Sequence, residues 1–422
     1  MEYFEHDLEK VMSFNAHKII EKIKKLDLNV LLYGAGIQCR TFISLLKDKG
    51  IKEDQIKLLD SNKTKSGRKF ENLIILDSQQ LSKFDCHNSI VFITCCFPSQ
   101  ILAAVPSRYE TYSIIPIYDQ LKSLLPNIEI NNGELKYERN IGDITREFIL
   151  YDTEFRNLHS TVENKNLRLK SIDAVVTEGC SLKCKNCSNL MQYYEKPLMA
   201  CFELLASSTD TILDNVDYVY EWRILGGEPF IFRYLDKYLL HLKKHKNFGN
   251  IIIYTNGTIL PKQSLISAIK ESGSIVDISN YGEHSRKLKE LTSCLKENNI
   301  PFACKEPEWT DSGRVTPTQN LESKYLEERF FNCCTKDVLT LLHGYLYRCP
   351  FSANLMNLSD NFLNESDRVF VNNYPNDIRE RIRSLYRDKA YLSACDNCNG
   401  RDYTVPLIPV AEQTRKVLSL PN

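Results

Sequence analysis

The sequence predicts an α/β protein: two β-α-β regions in succession, then a short cysteine-bearing segment. Three observations predict it. Strand-sized apolar runs, such as Val30-Leu31-Leu32-Tyr33, Ile90-Val91-Phe92-Ile93 and Ile251-Ile252-Ile253, alternate with helix-patterned stretches. Several of these runs end in glycine or asparagine turns. Cysteines gather in two places, between Cys180 and Cys187 and between Cys333 and Cys398.

The 422 residues suggest two or three domains. Lys+Arg and Asp+Glu are 54 each, so no basic excess points to nucleic acid and no acidic tail to a charged partner. The start from Met1 to Asp7 is acidic and lacks the apolar segment of a secretory signal. No apolar run is long enough to span a bilayer, so no membrane partner and a cytoplasmic location are expected. In a reducing compartment, clustered cysteines among the 15 are expected to bind metal, not to form disulfides.

The first region opens with a helical pattern in which Leu8, Val11, Ile19, Ile20, Ile23 and Leu26 share a face. The strand from Val30 ends in Gly34-Ala35-Gly36, a helix follows, and the strand Ile56–Leu59 ends in Asp60. This order implies a parallel, Rossmann-like sheet over residues 1–126. Gly34, Gly36 and Asp60 make half of a dinucleotide fingerprint, with Cys39 at the third glycine position. A nucleotide site and a plain scaffold both remain open. Residues 127–170 read as a polar, helical connector.

From Ile172 the alternation resumes. Strands are expected at Ile172–Thr177, Trp222–Leu225, Ile251–Thr255 and Val276–Ser279. Regular β-α repetition over residues 171–329 fits a partial (β/α)6 barrel of TIM type, whose chemistry sits at the C-terminal strand ends. Residues 330–422 form a small domain that a metal centre would help to hold together.

The first strand of this second region runs into Cys180-Ser181-Leu182-Lys183-Cys184-Lys185-Asn186-Cys187. Three thiolates on one loop can hold three irons of a four-iron cube and leave the fourth iron open. A zinc knuckle is the competing reading. It would need a fourth Cys or His at close range, and His159 and His241 are distant in sequence. Further on, Trp222-Arg223-Ile224-Leu225 runs into Gly226-Gly227-Glu228-Pro229, where two glycines let the backbone approach a ligand and Glu228 can accept from an ammonium group.

This combination resembles the radical S-adenosylmethionine superfamily. The resemblance implies that Cys180, Cys184 and Cys187 hold a [4Fe-4S] cluster whose open iron chelates S-adenosylmethionine. Reductive cleavage then yields a 5′-deoxyadenosyl radical that takes a hydrogen atom from substrate, with flavodoxin or ferredoxin as the external electron donor. It also implies that Gly226, Gly227, Glu228 and Pro229 hold the cofactor's amine, that Asn256 stands at the ribose, and that Ser279 ends the next strand at the same site. The residue before the third cysteine is usually aromatic in that superfamily; here it is Asn186.

Near the C-terminus stand Cys333-Cys334, Gly344 in a hairpin position, Cys349, and Cys395-Asp396-Asn397-Cys398. On spacing alone, four such cysteines suit zinc and an iron–sulfur cluster equally. The pattern resembles the Twitch module, the shortened SPASM extension of radical enzymes. That implies an auxiliary [4Fe-4S] cluster on Cys349, Cys395, Cys398 and one of Cys333 and Cys334, with Cys333 preferred. A fully ligated cluster suits electron transfer, hence oxidation of the substrate.

The leading expectation is therefore an oxidoreductase that dehydrogenates a carbinol of a sugar, nucleotide-sugar or cyclitol, similar to Twitch-bearing dehydrogenases. The first region resembles the Rossmann-like domains attached to enzymes of surface-polysaccharide assembly, which points to carbohydrate biosynthesis. Arg223, Glu221, Tyr281 and His284 lie near strand ends as candidate substrate contacts. Three alternatives stand beside it. A radical epimerase would need a thiol donor, for which Cys201, Cys294 and Cys304 are candidates. A peptide-modifying maturase is disfavoured by the β-α-β start. The last is a non-catalytic zinc scaffold.

Overall fold

A computed structural model of the chain describes residues 16–35, 37–61, 65–94, 105–113, 137–138, 167–373, 376–401 and 406–421. These fall into two compact units, one ending at Ser113 and one beginning at Tyr137.

The first unit contains α1 (Ala16–Leu26), β1 (Asn29–Tyr33), α2 (Ile37–Asp48), β2 (Ile56–Asp60), β3 (Lys69–Phe70), β4 (Leu73–Asp77), β5 (Ser89–Ile93) and β6 (Glu110–Ser113). The sheet runs β3-β4-β2-β1-β5-β6, and all its pairs are parallel except β3 with β4. Its parallel strands reverse direction of addition beside β1, as in open doubly wound sheets. Both faces of β1 and β5 are buried, which is why these strands read as unbroken apolar runs. Ile19, Ile20 and Ile23 of α1 are buried as the period requires, but Leu26 at the helix end is exposed; Leu8 and Val11 lie outside the described residues.

The crevice beside β1 bears on the dinucleotide expectation. Asp60 Oδ2 accepts from Ala35 N at 2.9 Å and from Lys65 Nζ at 3.0 Å, and Lys65 also donates to Ala35 O. The acid thus closes the turn after β1 on itself. Cys39 is fully buried, and Gly36 lies outside the described residues.

The second unit contains β7 (Tyr137–Glu138), β8 (Arg168–Thr177), α3 (Phe202–Asn215), β9 (Tyr218–Gly226), α4 (Leu235–Leu242), β10 (Phe248–Thr255), α5 (Gln263–Ser272), β11 (Ile275–Ser279), α6 (Leu288–Glu297), β12 (Phe302–Lys305), β13 (Trp309–Thr310), α7 (Ser323–Phe331), β14 (Val338–Leu342), β15 (Tyr345–Tyr347), α8 (Pro350–Leu358), β16 (Arg368–Phe370), α9 (Ile378–Arg387) and β17 (Leu407–Ile408). Its main sheet runs β16-β15-β14-β8-β9-β10-β11-β12-β7. The strands from β14 through β12 are parallel, and β15, β16 and β7 extend the edges antiparallel.

Three features of this sheet stand beside the sequence expectations. The sixth parallel strand, β14, does not follow β12 around a (β/α)6 ring. It joins beside β8, pairing Val338 with Ser171 and Leu341 with Ala174. After residue 330, β14, β15 and β16 therefore extend the same sheet, whereas β17 pairs with β13 in a separate two-stranded sheet. The expected connector 127–170 gives up both of its described pieces to that sheet, since Tyr137–Glu138 pairs with β12 and β8 starts at Arg168.

Alternation along the strands positions the site. Ile172, Ala174, Trp222, Ile224, Ile253 and Ile278 enter the apolar layer beneath the helices. Trp222 is wholly buried, and its Nε1 donates to Tyr238 Oη at 3.0 Å, which meets Thr209 Oγ1 at 2.9 Å. The intervening residues Asp173, Arg223, Tyr254 and Ser279 fall on the opposite face, where they line a cavity.

No described helix is long and apolar enough to cross a membrane.

Candidate functional site

The cysteine loop follows β8, and the Gly-Gly turn follows β9. They fit each other at backbone distance. Gly227 N donates to Thr177 O at 2.8 Å, and Glu228 N donates to Gly179 O at 2.9 Å. Gly226 has φ 145°, and a Cβ there would lie 2.1 Å from Thr177 O. A Cβ on Gly227 would lie 2.1 Å from Gly179 O and 2.8 Å from Cys180 Cβ. The two motifs, separate in sequence, form one interlocked piece.

A cavity of about 500 Å³ opens over this piece, lined by Cys180, Cys184, Cys187, Gly226, Gly227, Asn256 and Ser279 among others. Seven residues expected from sequence therefore face one space. Asn256 Nδ2 donates to Ser181 Oγ at 3.1 Å and approaches Cys180 Sγ at 3.5 Å. Tyr281 and Trp309 meet edge to face, with ring centroids 5.7 Å apart, and both line the cavity. Opposite the helices, Arg223 Nε donates to Asp173 Oδ1 at 2.5 Å and its guanidinium lies 5.7 Å from the Tyr254 ring centroid.

Glu228 and Pro229 do not line the cavity. Pro229 starts the 3-10 turn Pro229–Ile231, which suits a residue without an N–H. Glu228 is wholly buried behind the wall. Its carboxylate accepts from Asn256 N at 2.9 Å, Phe230 N at 3.2 Å and Thr255 Oγ1 at 2.9 and 3.0 Å. These donors engage both oxygens and hold the carboxylate against the back of the wall. Burial pushes the Glu228 carboxyl up to about 7, against the pull of those donors.

This raised value has a testable consequence. The folded value lies above the ordinary carboxyl value of 4.5, so the folded protein holds the proton more tightly than the unfolded chain. The stabilisation is full below pH 4.5 and is lost as pH rises through about 7. Its ceiling is about 3 kcal/mol. Glu228→Gln should remove that part of the pH dependence, read as the difference in Tm between wild type and variant from pH 4.5 to 8.

Of the candidate substrate contacts, Arg223 and Tyr281 line the cavity, whereas Glu221 is buried in the sheet and His284 is exposed elsewhere. None of Cys201, Cys294 and Cys304 lines it; Cys334 does. Cys201 caps α3, Cys294 lies on α6, and Cys304 is buried in β12.

Side-chain direction separates the members of the second set. Cys333, Cys349, Cys395 and Cys398 surround one small void with Phe330, Pro350, Phe351 and Leu392. Their neighbour Cys334 turns away into the larger cavity. The hairpin between β14 and β15 turns at His343 and Gly344, both at positive φ (48° and 82°), and carries the chain from Cys333 back towards Cys349. Ser188, Thr335, Pro350 and Arg401 line both spaces, so the two share a wall.

The sulfurs of each set are more widely spaced than the ligands of a single tetrahedral zinc ion. Around zinc with Zn–S near 2.3 Å, tetrahedral sulfurs stand about 3.8 Å apart. Among the described residues, no three sulfurs of either set lie within 4.8 Å of one another. N–H groups also point at the sulfurs: Gln413 Nε2 at Cys184 (3.2 Å), Leu182 N at Cys180 (3.5 Å), Ser352 N at Cys349 (3.2 Å) and Gly400 N at Cys398 (3.3 Å). Burial pushes the Cys180 and Cys395 thiols up to about 12 and the Cys184 and Cys398 thiols up to about 11. Bound cations would stabilise the thiolates that burial disfavours.

Sequence reasoning missed the supports. Glu178, 3% exposed, meets His343 Nε2 at 2.8 Å and accepts from Asn357 Nδ2 at 2.7 Å and Leu198 N at 2.7 Å. The C-terminal segment straps the cysteine loop: Lys183 N donates to Gln413 Oε1, Lys185 N to Glu412 O, and Thr414 N to Lys183 O. Gly313 is held against the same loop, where a Cβ would lie 2.0 Å from Asn186 O.

A GTP 3′,8-cyclase shares part of this sequence. Over 145 residues the chain is 26% identical to that protein of Clostridium acetobutylicum, covering 30% of this chain and 43% of the relative. The chain thus spans less than half the length of that relative. No family model matches. Among solved structures, BtrN in complex with AdoMet and 2-DOIA gives a TM-score of 0.36 at 16% identity, covering 60% of this chain and all of that one. The protein anSMEcpe with bound AdoMet gives 0.35 at 16%, covering 57% and 93%. Streptococcus suis SuiB gives 0.33 at 14%, covering 73% and 84%. Scores this low assign neither fold nor function.

Proposed function

We propose that this chain is a radical S-adenosylmethionine enzyme that oxidises a carbinol of a sugar, nucleotide-sugar or cyclitol. One observation carries the reading: a single cavity gathers the three-cysteine loop, the Gly226-Gly227 backbone, Asn256 and Ser279. The partial likeness to a GTP 3′,8-cyclase supports the same superfamily.

Cys180, Cys184 and Cys187 would hold a [4Fe-4S] cluster with one open iron. When bound, cluster and S-adenosylmethionine supply the reductive cleavage that starts hydrogen abstraction from substrate. The chain's own residues bind and orient. The carbonyls of Gly226 and Gly227 offer acceptors to the cofactor's ammonium. Asn256 is fixed by Ser181 for contact with the ribose. Tyr281 and Trp309 supply the aromatic surface for a purine that Asn186 does not. Asp173 holds the Arg223 guanidinium towards the cavity, ready for the hydroxyls of a polyol.

Cys333, Cys349, Cys395 and Cys398 would hold an auxiliary [4Fe-4S] cluster in a Twitch-like arrangement. The wall of Ser188, Thr335, Pro350 and Arg401 that the two spaces share supports a role for that centre as acceptor of the second electron of an oxidation. The first electron would leave the substrate with the abstracted hydrogen atom, and a flavodoxin or ferredoxin in the cytoplasm would supply the separate electron that reductive cleavage of the cofactor consumes.

Cys334 favours a second reading, a radical epimerase in which this cavity-lining thiol returns a hydrogen atom to the opposite face. Anaerobic turnover with reductant and candidate nucleotide-sugars in deuterated water separates the two. Oxidation yields 5′-deoxyadenosine and a ketone, whereas epimerisation places deuterium on carbon. A reconstituted protein whose cluster spectrum does not respond to S-adenosylmethionine would overturn both.

A further inference from the structure

Away from the cavity, α3 and the end of α4 bring together two histidines and one carboxylate. Asp210 lies on α3, His241 in the last turn of α4, and His245 just beyond its C-cap Lys243. His241 Nε2 lies 2.7 Å and His245 Nε2 2.8 Å from the same Asp210 oxygen, Oδ1. All three ligand atoms lie within 4.8 Å of one another. The rings stand at 64° with centroids 5.8 Å apart, so their Nε2 atoms converge instead of stacking.

Two features favour an ion over a pair of ordinary hydrogen bonds. Both imidazoles aim at one oxygen of the carboxylate, although the other offers the same acceptor capacity. The backbone on each side is also set in advance. Asn247 Nδ2 donates to Leu213 O at 2.5 Å and to Val216 O at 3.1 Å, which pins the segment after His245 to the end of α3. The histidine side chains are 16% and 17% exposed, so they are held by packing yet open to solvent on one side.

We propose that Asp210, His241 and His245 bind a zinc ion that ties α3 to α4, with water completing four-coordination. Two imidazole nitrogens and one carboxylate oxygen suit zinc, whose Zn–N and Zn–O distances are close to about 2.1 Å. Closing around the ion needs only a small widening of the present contacts. The site uses no cysteine and does not rest on the radical reading.

The test uses the full chain, loaded with iron under anaerobic conditions, dialysed against dilute zinc sulfate and desalted. Metal analysis should find one zinc equivalent in the wild type, lost in His245→Ala and in the near-isosteric Asp210→Asn with iron unchanged. The zinc-edge X-ray absorption should show a nitrogen and oxygen shell without sulfur. Zinc should raise Tm in the wild type and not in Asp210→Asn. Zinc retained equally by both variants, a sulfur shell, or no retained zinc would overturn the proposal and leave a hydrogen-bonded triad. Circular dichroism checks that each variant is folded.

Discussion

Gly227→Ala is expected to lose the three-cysteine centre while keeping the other. A Cβ at this position lies 2.1 Å from Gly179 O, 2.4 Å from Gly179 C and 2.8 Å from Cys180 Cβ. Two of these atoms are backbone, so no flexible side chain can give way. Relief requires parting the Gly-Gly turn from the cysteine loop, which breaks the Glu228 N to Gly179 O bond and displaces Cys180. Overpacking of this kind costs about 3 kcal/mol or more. Iron and sulfide per chain should fall by the share of one cluster, and 5′-deoxyadenosine formation should drop to background. Gly273→Ala is the control. Its Cβ would meet nothing within 4 Å, and only its φ of 68° is strained, so it should cost about 1–2 kcal/mol and leave iron intact. Equal iron loss in both variants would show that the effect is general unfolding.

Adjacent cysteines are expected to behave in opposite ways. Cys333→Ala should remove the iron of the second centre, because Cys333 shares its void with Cys349, Cys395 and Cys398. Cys334→Ala should keep both centres, because that residue lines the larger cavity. Its catalytic effect then discriminates the two reactions. If the enzyme dehydrogenates, Cys334→Ala retains ketone formation. If it epimerises, the variant still forms 5′-deoxyadenosine but returns no hydrogen atom to carbon, and product falls to background. Iron lost from Cys334→Ala and kept in Cys333→Ala would reverse the assignment.

The pair also shows what sequence can and cannot convey. The grouping of Cys180, Cys184 and Cys187 at one cavity is legible because the residues of a loop are neighbours in sequence. Gly226, Gly227, Asn256 and Ser279 are legible because β-α alternation sends successive strand ends to one side. Cys333 and Cys334 differ only in direction, which the turn after α7 fixes. Glu228 shows the converse: its motif position and its local cap on Phe230 N are plain, but Thr255 and Asn256 approach it from 27 and 28 positions away. Glu178 with His343, and Gln413 with Cys184, are 165 and 229 positions apart. No periodicity marks such pairs. The placement of β14 beside β8 was hidden for the same reason, since a strand's own residues do not name its neighbour.

The strap over the cysteine loop has a consequence for biogenesis. Lys183, Cys184 and Lys185 take their hydrogen bonds from residues 412–414, which are synthesised last among the partners of this loop. Throughout most of translation the three thiols therefore sit on a peptide whose cover does not yet exist. A metal delivered to a nascent or newly released chain would meet an open loop, and the strap would close over it only afterwards.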